Sequence, residues 1–555
     1  MADLVNININ GDDFQVPAGL NVIEAARISG VEIPHFCYHP NLPIAGSCRL
    51  CLVSIGTPAR DRATGELLKN PDGSQKIAFM PKLAIACGTK VSEGMHVITD
   101  SEQVVKARQG VLEFILANHP LDCPICDKAG ECKLQEYSQA FGNCKSRFVE
   151  DKNVKPKKVS IGGGKVILDA ERCILCSRCI RTCREVVGRD VLGFSKRGSR
   201  NEISVYGDDG RDSNYLLNIV DGCPVGALTE SAFRFKMRAW FLKVANSVST
   251  ESSAGINTKV WSRSNKVYRI TPRSNPFVND AWSTDSSRYE YRVLDSAMRL
   301  KTARVDGTPC STSYAVSRAV EVMAASGRRA VVASARLSLE EQFMLKEFAD
   351  LTGSKIYAAA HLGEDDGKLI SSDRTPNRRG LFITGIVSEY PKTDLKNLAG
   401  DIRSGAVESV MVCGEDLCAL GLDEKDFKTA NIVYCGVSDS ETAQRAKVAI
   451  PTASVFEKSG IFVNRQFRAQ AFEKAVDAPE SAVCEISLFS KFMNAFAKSE
   501  FKTPSVYALR RLISSKIEIL GGICEIPKTG LLLDGKKFAA VKFPESQALH
   551  FTKNE

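Results

Sequence analysis

The sequence predicts a multidomain chain of mixed α/β and α+β class, and three observations carry that prediction. Its 555 residues correspond to roughly three or four domains at about 100–200 residues each. Thirteen of its nineteen cysteines lie between Cys37 and Cys223, in spaced groups rather than a scatter. Past residue 235 cysteines become sparse, and strand-like and helical segments alternate. Apolar content of 44% and charged content of 25% are ordinary for a soluble globular chain, which can build a core without disulfide staples. The net charge of +9 permits a weakly basic docking surface, and no segment has the pattern of a nucleic-acid module. The N-terminal MADLVNININGDD lacks the basic start and apolar core of a secretory signal, and no apolar run reaches about 18 residues. The expectation is a chain without a signal peptide or transmembrane helix, in the reducing cytosol. There, clustered cysteines read as metal sites.

The first element is a small sheet with a crossing helix. Leu4 to Ile9 alternates, Asn10-Gly11-Asp12 is a hairpin turn, and Phe14-Gln15-Val16 returns. Asn21 caps a short helix through Ala26, and Gly30 stops it. Then comes Cys37-x10-Cys48-x2-Cys51, with Cys87 after a gap. Cys48-x2-Cys51 alone could be half a zinc site. Two loop thiolates separated by two residues can also face one iron, with backbone amides bonding the sulfurs. Gly46 leaves room for that approach. The order of hairpin, helix and cysteine loop resembles the β-grasp of plant-type [2Fe–2S] ferredoxins, which implies Cys37, Cys48, Cys51 and Cys87 as ligands. The 35 residues between Cys51 and Cys87 are a longer gap than such domains usually have. Within Thr57–Met80, Leu67-Leu68-Lys69 and Ile77-Ala78-Phe79 flank Asn70-Pro71-Asp72-Gly73 as an inserted hairpin, either decoration or a partner contact.

Residues 101–118 read as a helix capped by Ser101, with Val104, Val105, Val111, Leu112, Ile115 and Leu116 on one apolar face. It runs into His119-x3-Cys123-x2-Cys126-x5-Cys132. Three cysteines leave one corner of a four-ligand cluster open, and His119 is the candidate to fill it. A neutral imidazole in place of a thiolate should push that centre's potential upward. Cys144 lies outside the spacing and reads as a small buried apolar residue.

Residues 151–165, with Lys152, Lys155, Lys157, Lys158 and Gly162-Gly163-Gly164, read as a polar linker. Gly164-Lys165 is not a phosphate loop, and no GxGxxG opens a helix in this half, so no nucleotide site is expected. Cys173-x2-Cys176-x2-Cys179 follows, with Cys223-Pro224 much later, a [4Fe–4S] spacing. Cys183 and Cys223 compete for the fourth place. In two-cluster ferredoxins the cysteine at the Cys183 position serves a second cluster. No second Cys-x2-Cys-x2-Cys is present to use it, so Cys223 is the expected ligand and Cys183 a packed thiol. Leu192-Gly193 and Arg197-Gly198 mark an intervening sheet and turn.

Taken together, these groups resemble one family, the large iron–sulfur subunit of NADH:quinone oxidoreductase, respiratory complex I (the G-type subunit of bacteria). The same front end occurs in some iron-only hydrogenases and NAD-linked formate dehydrogenases. The resemblance implies one [2Fe–2S] cluster on Cys37, Cys48, Cys51 and Cys87. It also implies two [4Fe–4S] clusters, one on His119, Cys123, Cys126 and Cys132, the other on Cys173, Cys176, Cys179 and Cys223. It implies an electron-transfer role, with hydride taken from NADH by a separate flavin subunit and electrons passed toward quinone. The two [4Fe–4S] centres would carry the route and the [2Fe–2S] centre would sit beside it. Partners would be the flavin subunit and other peripheral-arm subunits, with the membrane arm contacted indirectly and no nucleic acid. The implied location is peripheral, on the cytoplasmic face of the cell membrane. No residue is expected to act as acid, base or nucleophile.

Beyond residue 235 the six cysteines (Cys310, Cys413, Cys418, Cys435, Cys484 and Cys524) lack cluster spacing. Ala330 to Ala333 reads as a strand before a helix over Ser338 to Leu351, closed by Gly353. Ile356-Tyr357-Ala358, Ser409 to Val412 and Ile432 to Tyr434 read as further buried strands of a mainly parallel sheet. The layout resembles the molybdopterin oxidoreductase fold. Val260-Trp261 to Arg273 and Asn279 to Trp282 look like its entry segment. Pro451 to Ala453, Glu457 to Gly460 and Asn464-Arg465 look like a later turn. In formate dehydrogenases that entry carries a further cysteine group, but Ser249 to Ile256 has none, and Cys310 is too isolated to bind molybdenum. The expectation is a degenerate domain without molybdopterin. The expected domains are 1–100 ([2Fe–2S] β-grasp), 101–150 (His/Cys3 region), 151–235 (second [4Fe–4S] region) and 236–555 (molybdopterin-oxidoreductase-like).

Overall fold

Local sequence rules account for the first elements of the computed structural model, which describes residues 3–61, 63–155, 158–359, 361–389, 395–497 and 502–544. The alternation at the N-terminus gives strand β1 (Leu4–Ile9), paired antiparallel with β2 (Asp12–Pro17) through the Asn10-Gly11 turn. Both turn residues have positive φ, as a tight hairpin requires. Ile7 and Ile9 point inward, onto helix α1 (Val22–Ile28). Asn21 accepts from the Glu24 backbone amide to cap α1, and Gly30 follows the Ser29 C-cap with φ 78°. Strands β3 (Leu52–Pro58), β4 (Ile77–Phe79), β5 (Ala84–Ile85) and β6 (Met95–Ile98) complete the sheet in the order β2-β1-β6-β3-β4, with β5 on β3. Only β1–β6 is parallel. The inserted turn forms at Asn70 to Ser74. Ile77–Phe79, however, pairs with Gly56–Pro58 of β3 and not with Leu67-Leu68-Lys69, because the long β3 offers it a free edge.

Helix α2 (Glu102–Asn118) starts at Ser101, whose hydroxyl accepts from the Val104 amide. Its buried stripe is Val104, Arg108 and Leu112. Val105 is exposed, contrary to the expected face. Positions four apart share a helix face, whereas a neighbour is turned about 100° away. The Arg108 guanidinium is accommodated over the Phe141 ring at the end of α3 (Lys133–Phe141).

The expected linker is shorter than the sequence suggests. Val159–Ile161 forms strand β7, antiparallel to β8 (Val166–Leu168), with Gly162-Gly163-Gly164 as a turn entirely at positive φ. A Cβ on Gly162 would lie 2.1 Å from Leu216 Cδ2. Lys152 Nζ donates to the carbonyls of Leu116 and Ala117, satisfying the end of α2, and Lys155 Nζ donates to Asn201 O. Lys157 lies outside the described residues. Then follow α4 (Arg178–Thr182), the hairpin β9 (Leu192–Ser195) and β10 (Glu202–Val205), α5 (Asn218–Gly222) and β11 (Leu228–Glu230), which pairs with β8.

These elements make one compact unit, Met1–Phe241; the second is Leu242–Glu555. The second opens with a meander of β12 (Lys243–Val248), β13 (Asn257–Arg263) and β14 (Lys266–Pro272). A seven-stranded sheet follows, built from β15 (Ala303–Val305), β16 (Thr308–Cys310), β17 (Arg329–Ala333), β18 (Lys355–Ala358), β19 (Ser409–Cys413), β20 (Asn431–Gly436) and β21 (Val448–Pro451). Its order is β16-β15-β21-β20-β19-β17-β18, parallel from β21 to β18. The strand order reverses at β17, which has β18 on one side and β19 on the other. Between β17 and β18 runs α6 (Leu339–Thr352), opened by a Ser338–Glu341 capping box and closed by Gly353 at φ 63°. A smaller sheet, β22 (Gly460–Val463), β23 (Arg468–Phe472) and β24 (Leu531–Leu532), and helix α7 (Glu485–Ala497) complete what is used below. No described helix is long and apolar enough to cross a membrane.

Candidate iron–sulfur sites

The first site is built by a coil that leaves α1 and ends at β3. Arg49 and Gly46 take positive φ and turn it tightly. A Cβ on Gly46 would meet Ile85 Cδ1 at 3.1 Å, so the position has little room for a side chain. Cys37, Cys51 and Cys87 are buried and Cys48 half-buried. Pairing of Leu52 with Ile85 and the bond from Ala86 N to Cys51 O set Cys87 beside Cys51. The thiols pair as Cys37 with Cys48 and Cys51 with Cys87, not as the sequence neighbours Cys48 and Cys51. Hydrogen bonding to the partner thiol brings Cys37 down to about 5 and pushes Cys48 up. In the same way it raises Cys51 and lowers Cys87. Two adjacent thiol pairs, with Cys37, Cys51 and Cys87 buried, offer the soft ligands that a metal cluster takes.

The second site starts where α2 stops. His119 is the C-cap, and burial lowers its pKa to about 4, so its ring is neutral and able to ligate. Cys123 opens a short turn and is exposed. Cys126 lies at the turn's end and Cys132 at the N-cap of α3, both buried, and burial raises both thiols. Cys144 is exposed, not packed as the sequence suggested. The segment after β11 closes over this loop: Arg238 Nη1 donates to Cys126 O at 2.6 Å and Phe235 N to Asp127 Oδ1 at 2.8 Å.

The third site is the most enclosed. One small cavity is lined by Cys173, Cys176, Cys179 and Cys223, with walls from Leu168, Ile203 and Val225. Leu175 and Ser177 hold φ of 55° and 59°, a conformation costly for residues with a Cβ. It turns the loop around the cavity, and Leu175 N donates to Cys173 Sγ at 3.4 Å. Burial raises the thiols of Cys173 to about 11 and Cys176 to about 12, and Cys179 further. A bound metal reverses that cost by favouring thiolate. Cys183 is fully buried at the end of α4 but does not line the cavity.

The three sites touch. On α4, Arg181 donates to Cys37 O at 2.6 Å and Pro43 O at 2.5 Å, and Arg178 donates to Tyr38 O. Lys133 N donates to Pro224 O at 3.0 Å, and a Cβ on Gly226 would fall 2.4 Å from Cys126 Sγ. Arg172 pairs with Asp122 at 2.5 Å. These bridging residues escape a search for ligand spacing. The one signal was that Asp122 and Arg172 each immediately precede the first cysteine of a group.

In the second unit, Ser334, Cys413, Gly414, Gly436 and Thr452 follow or end the parallel strands and line a cavity of about 360 Å³, the location where such sheets bind ligands. Cys413 sits beside Cys435 in register and does not group with Cys418. Sequence reading also missed a triad of which Lys458 and Glu485 line the cavity and Glu341 lies behind them. Lys458 Nζ lies 2.7 Å from Glu341 Oε1 and 3.0 Å from Glu485 Oε2, with Cys484 alongside.

A model described as a 2Fe-2S iron-sulfur cluster binding domain matches residues 2–102. The NADH-ubiquinone oxidoreductase-G iron-sulfur binding region matches 108–147, and the ferredoxin-like domain of NADH-quinone oxidoreductase subunit 3 matches 163–229. An NDSU1/NuoG-like 4Fe-4S domain matches 242–292, and molybdopterin oxidoreductase 359–493. The chain thus carries [2Fe–2S] and [4Fe–4S] binding domains in order. Residues 242–292 contain no cysteine. Ser249 and Thr250 instead donate to Glu290, and Ser253 to Ser371. Such hydroxyls do not fit a cluster. The G-type subunit of NADH-quinone oxidoreductase from Rickettsia felis is 36% identical over 72% of this chain and 55% of its own length. The mitochondrial NADH dehydrogenase [ubiquinone] iron-sulfur protein 1 of Solanum tuberosum is 36% identical over 74% of this chain and 52% of its own. A chain of a solved NAD+-reducing [NiFe]-hydrogenase matches at 25% identity and TM-score 0.34, covering 42% of this chain and 91% of that one. The chain spans about half the length of the relatives it matches. By these relatives and the ordered iron–sulfur domains, the chain belongs to the family of the large, G-type iron–sulfur subunit of NADH:quinone oxidoreductase.

Proposed function

We propose that this chain is the electron-transfer subunit of a proton-translocating NADH:quinone oxidoreductase. It would accept electrons from a flavin subunit and pass them toward quinone, peripherally on the cytoplasmic face of the membrane. The observation that carries the reading is the cavity whose lining contains all four thiols of the third group. Cys37, Cys48, Cys51 and Cys87 would hold the [2Fe–2S] cluster. His119, Cys123, Cys126 and Cys132 would hold one [4Fe–4S] cluster, and Cys173, Cys176, Cys179 and Cys223 the other. Bound there, the clusters would supply reversible one-electron chemistry. The chain's own residues hold and separate them: α4 presents Cys179 on one side and, through Arg178 and Arg181, grips the Cys37 loop on the other. That contact favours a contiguous series with the Cys173 site in the middle, in place of a [2Fe–2S] side branch. Molybdopterin is not part of the reading. The domains proposed are 1–100, 101–150, 151–235 and 236–555.

The test is anaerobic isolation of the tagged chain from detergent-solubilised membranes, with metal analysis and identification of what accompanies it. The expected result is about ten iron atoms per copy after subtracting the partners' clusters, no molybdenum, and co-purifying flavoprotein and polytopic membrane subunits. A small soluble complex containing molybdenum would overturn the reading.

A further inference from the structure

The second and third sites are joined by a buried cation. Arg172 is 4% exposed and lies between Asp122 and Asp169. Asp122 fixes it by accepting from Nη2 at 2.5 Å and from Nε at 3.4 Å. Asp169 Oδ2 is 3.5 Å from Nη1, which makes no hydrogen bond. Arg172 adjoins Cys173 in sequence, and in space its Cδ and the Cys126 sulfur flank the same point, 3.5 Å and 2.4 Å from where a Gly226 Cβ would stand. Asp122, its main partner, adjoins Cys123. One guanidinium therefore stands next to ligand residues of both [4Fe–4S] sites.

Resting on the ligand assignment above, we propose that Arg172 is a shared positioning residue that sets the reduction potentials of both [4Fe–4S] centres. One-electron reduction adds a negative charge to a site. A fixed positive charge nearby in a low-dielectric interior stabilises the reduced form and raises the potential. Because one side chain serves both sites, both potentials move together, which keeps the driving force between them nearly constant. Asp122 opposes the effect and lies nearer the His119 site.

The experiment is an EPR-monitored redox titration of the intact purified complex carrying Arg172→Gln, Arg172→Lys or Asp122→Asn. Arg172→Gln should shift both [4Fe–4S] signals toward lower potential. The expected size is about a tenfold change in the ratio of reduced to oxidised cluster at fixed potential, 59 mV for one electron. The [2Fe–2S] signal should stay in place. Asp122→Asn should move both upward, the His119 centre more, and Arg172→Lys should recover most of the wild-type values. If Arg172→Gln fails to retain its clusters, the decision rests on Asp122→Asn, which keeps the cation. An upward shift of both centres, larger at the His119 centre, then supports the proposal, and unchanged potentials overturn it. With clusters intact, a shift of one centre only, or of neither, also overturns it. Failure of the underlying assignment has a different signature: wild-type complex that lacks two [4Fe–4S] signals belonging to this chain.

Discussion

The two compact units spend their buried polarity in opposite ways. In Met1–Phe241 the sheets are small, and loops with positive-φ residues wrap thiols that are costly to ionise without metal. In Leu242–Glu555 a regular parallel sheet carries continuous apolar strands such as Val331–Ala333 and Val410–Val412, and its buried charges already have protein partners. Lys458 sits between Glu341 and Glu485, Arg299 pairs with Glu457 at 2.7 Å, and Arg510 with Glu340 at 2.7 Å. In the first unit the buried polar groups are mostly thiols gathered in loops; in the second they are mostly charges paired with one another. Two units of one chain can thus share secondary-structure types and differ in what stabilises them.

The sharpest break of this comparison is cysteine removal. Cys179→Ser should eliminate one [4Fe–4S] cluster, lowering iron by about four atoms per chain, while Cys183→Ser should leave the iron count unchanged. Equal losses in both variants would mean the fourth ligand is misassigned. Next in size is Lys458→Met, which removes the cation between the buried carboxyl groups of Glu341 and Glu485. It should destabilise the second unit by about 3–5 kcal/mol with no change in iron. Trp261 and Trp282 report that unit's unfolding by fluorescence, and cluster absorbance reports the first.

A smaller effect comes from Glu290, which burial raises from 4.5 to about 7 despite bonds from Ser249 and Thr250. A carboxyl raised on folding contributes stability that is full below pH 4.5 and is lost as pH rises through about 7. Wild-type stability should therefore fall relative to Glu290→Gln across that window, on the order of 2–3 kcal/mol. Parallel pH profiles in denaturant titrations would count against a raised carboxyl. The smallest is Ser338→Ala, which removes the hydroxyl that caps α6 and should cost about 1 kcal/mol, again in the second unit alone.

The metal-site candidates were readable because ligand spacing is a local property. Cys173, Cys176 and Cys179 fall within one loop and the first turn of α4, and the chain can bend around them. The α6 helix was readable for the same reason: Ser338, Glu341 and Gly353 each act on amides or φ angles within a few residues. Elements decided by distant partners were not readable. Val159–Ile161 is too short to announce a strand, and only β8 makes it one. The burial of Arg108 depends on Phe141, which lies beyond the helix that carries it. Ile77–Phe79 has strand residues, but its partner depends on which edge of β3 is open.

By itself, the sequence determined the closely spaced cysteines, the capped helices and the βα alternation of the second unit, since each rests on interactions within about a turn or a strand. Only the tertiary structure decided that Cys37 pairs with Cys48, that Arg172 stands between two sites, and that Lys458 closes a buried triad with Glu341 and Glu485. Those arrangements join residues from about ten to more than a hundred positions apart. Burial then makes a single charge or thiol matter, because in a low dielectric each must be matched by a partner that chain order does not name.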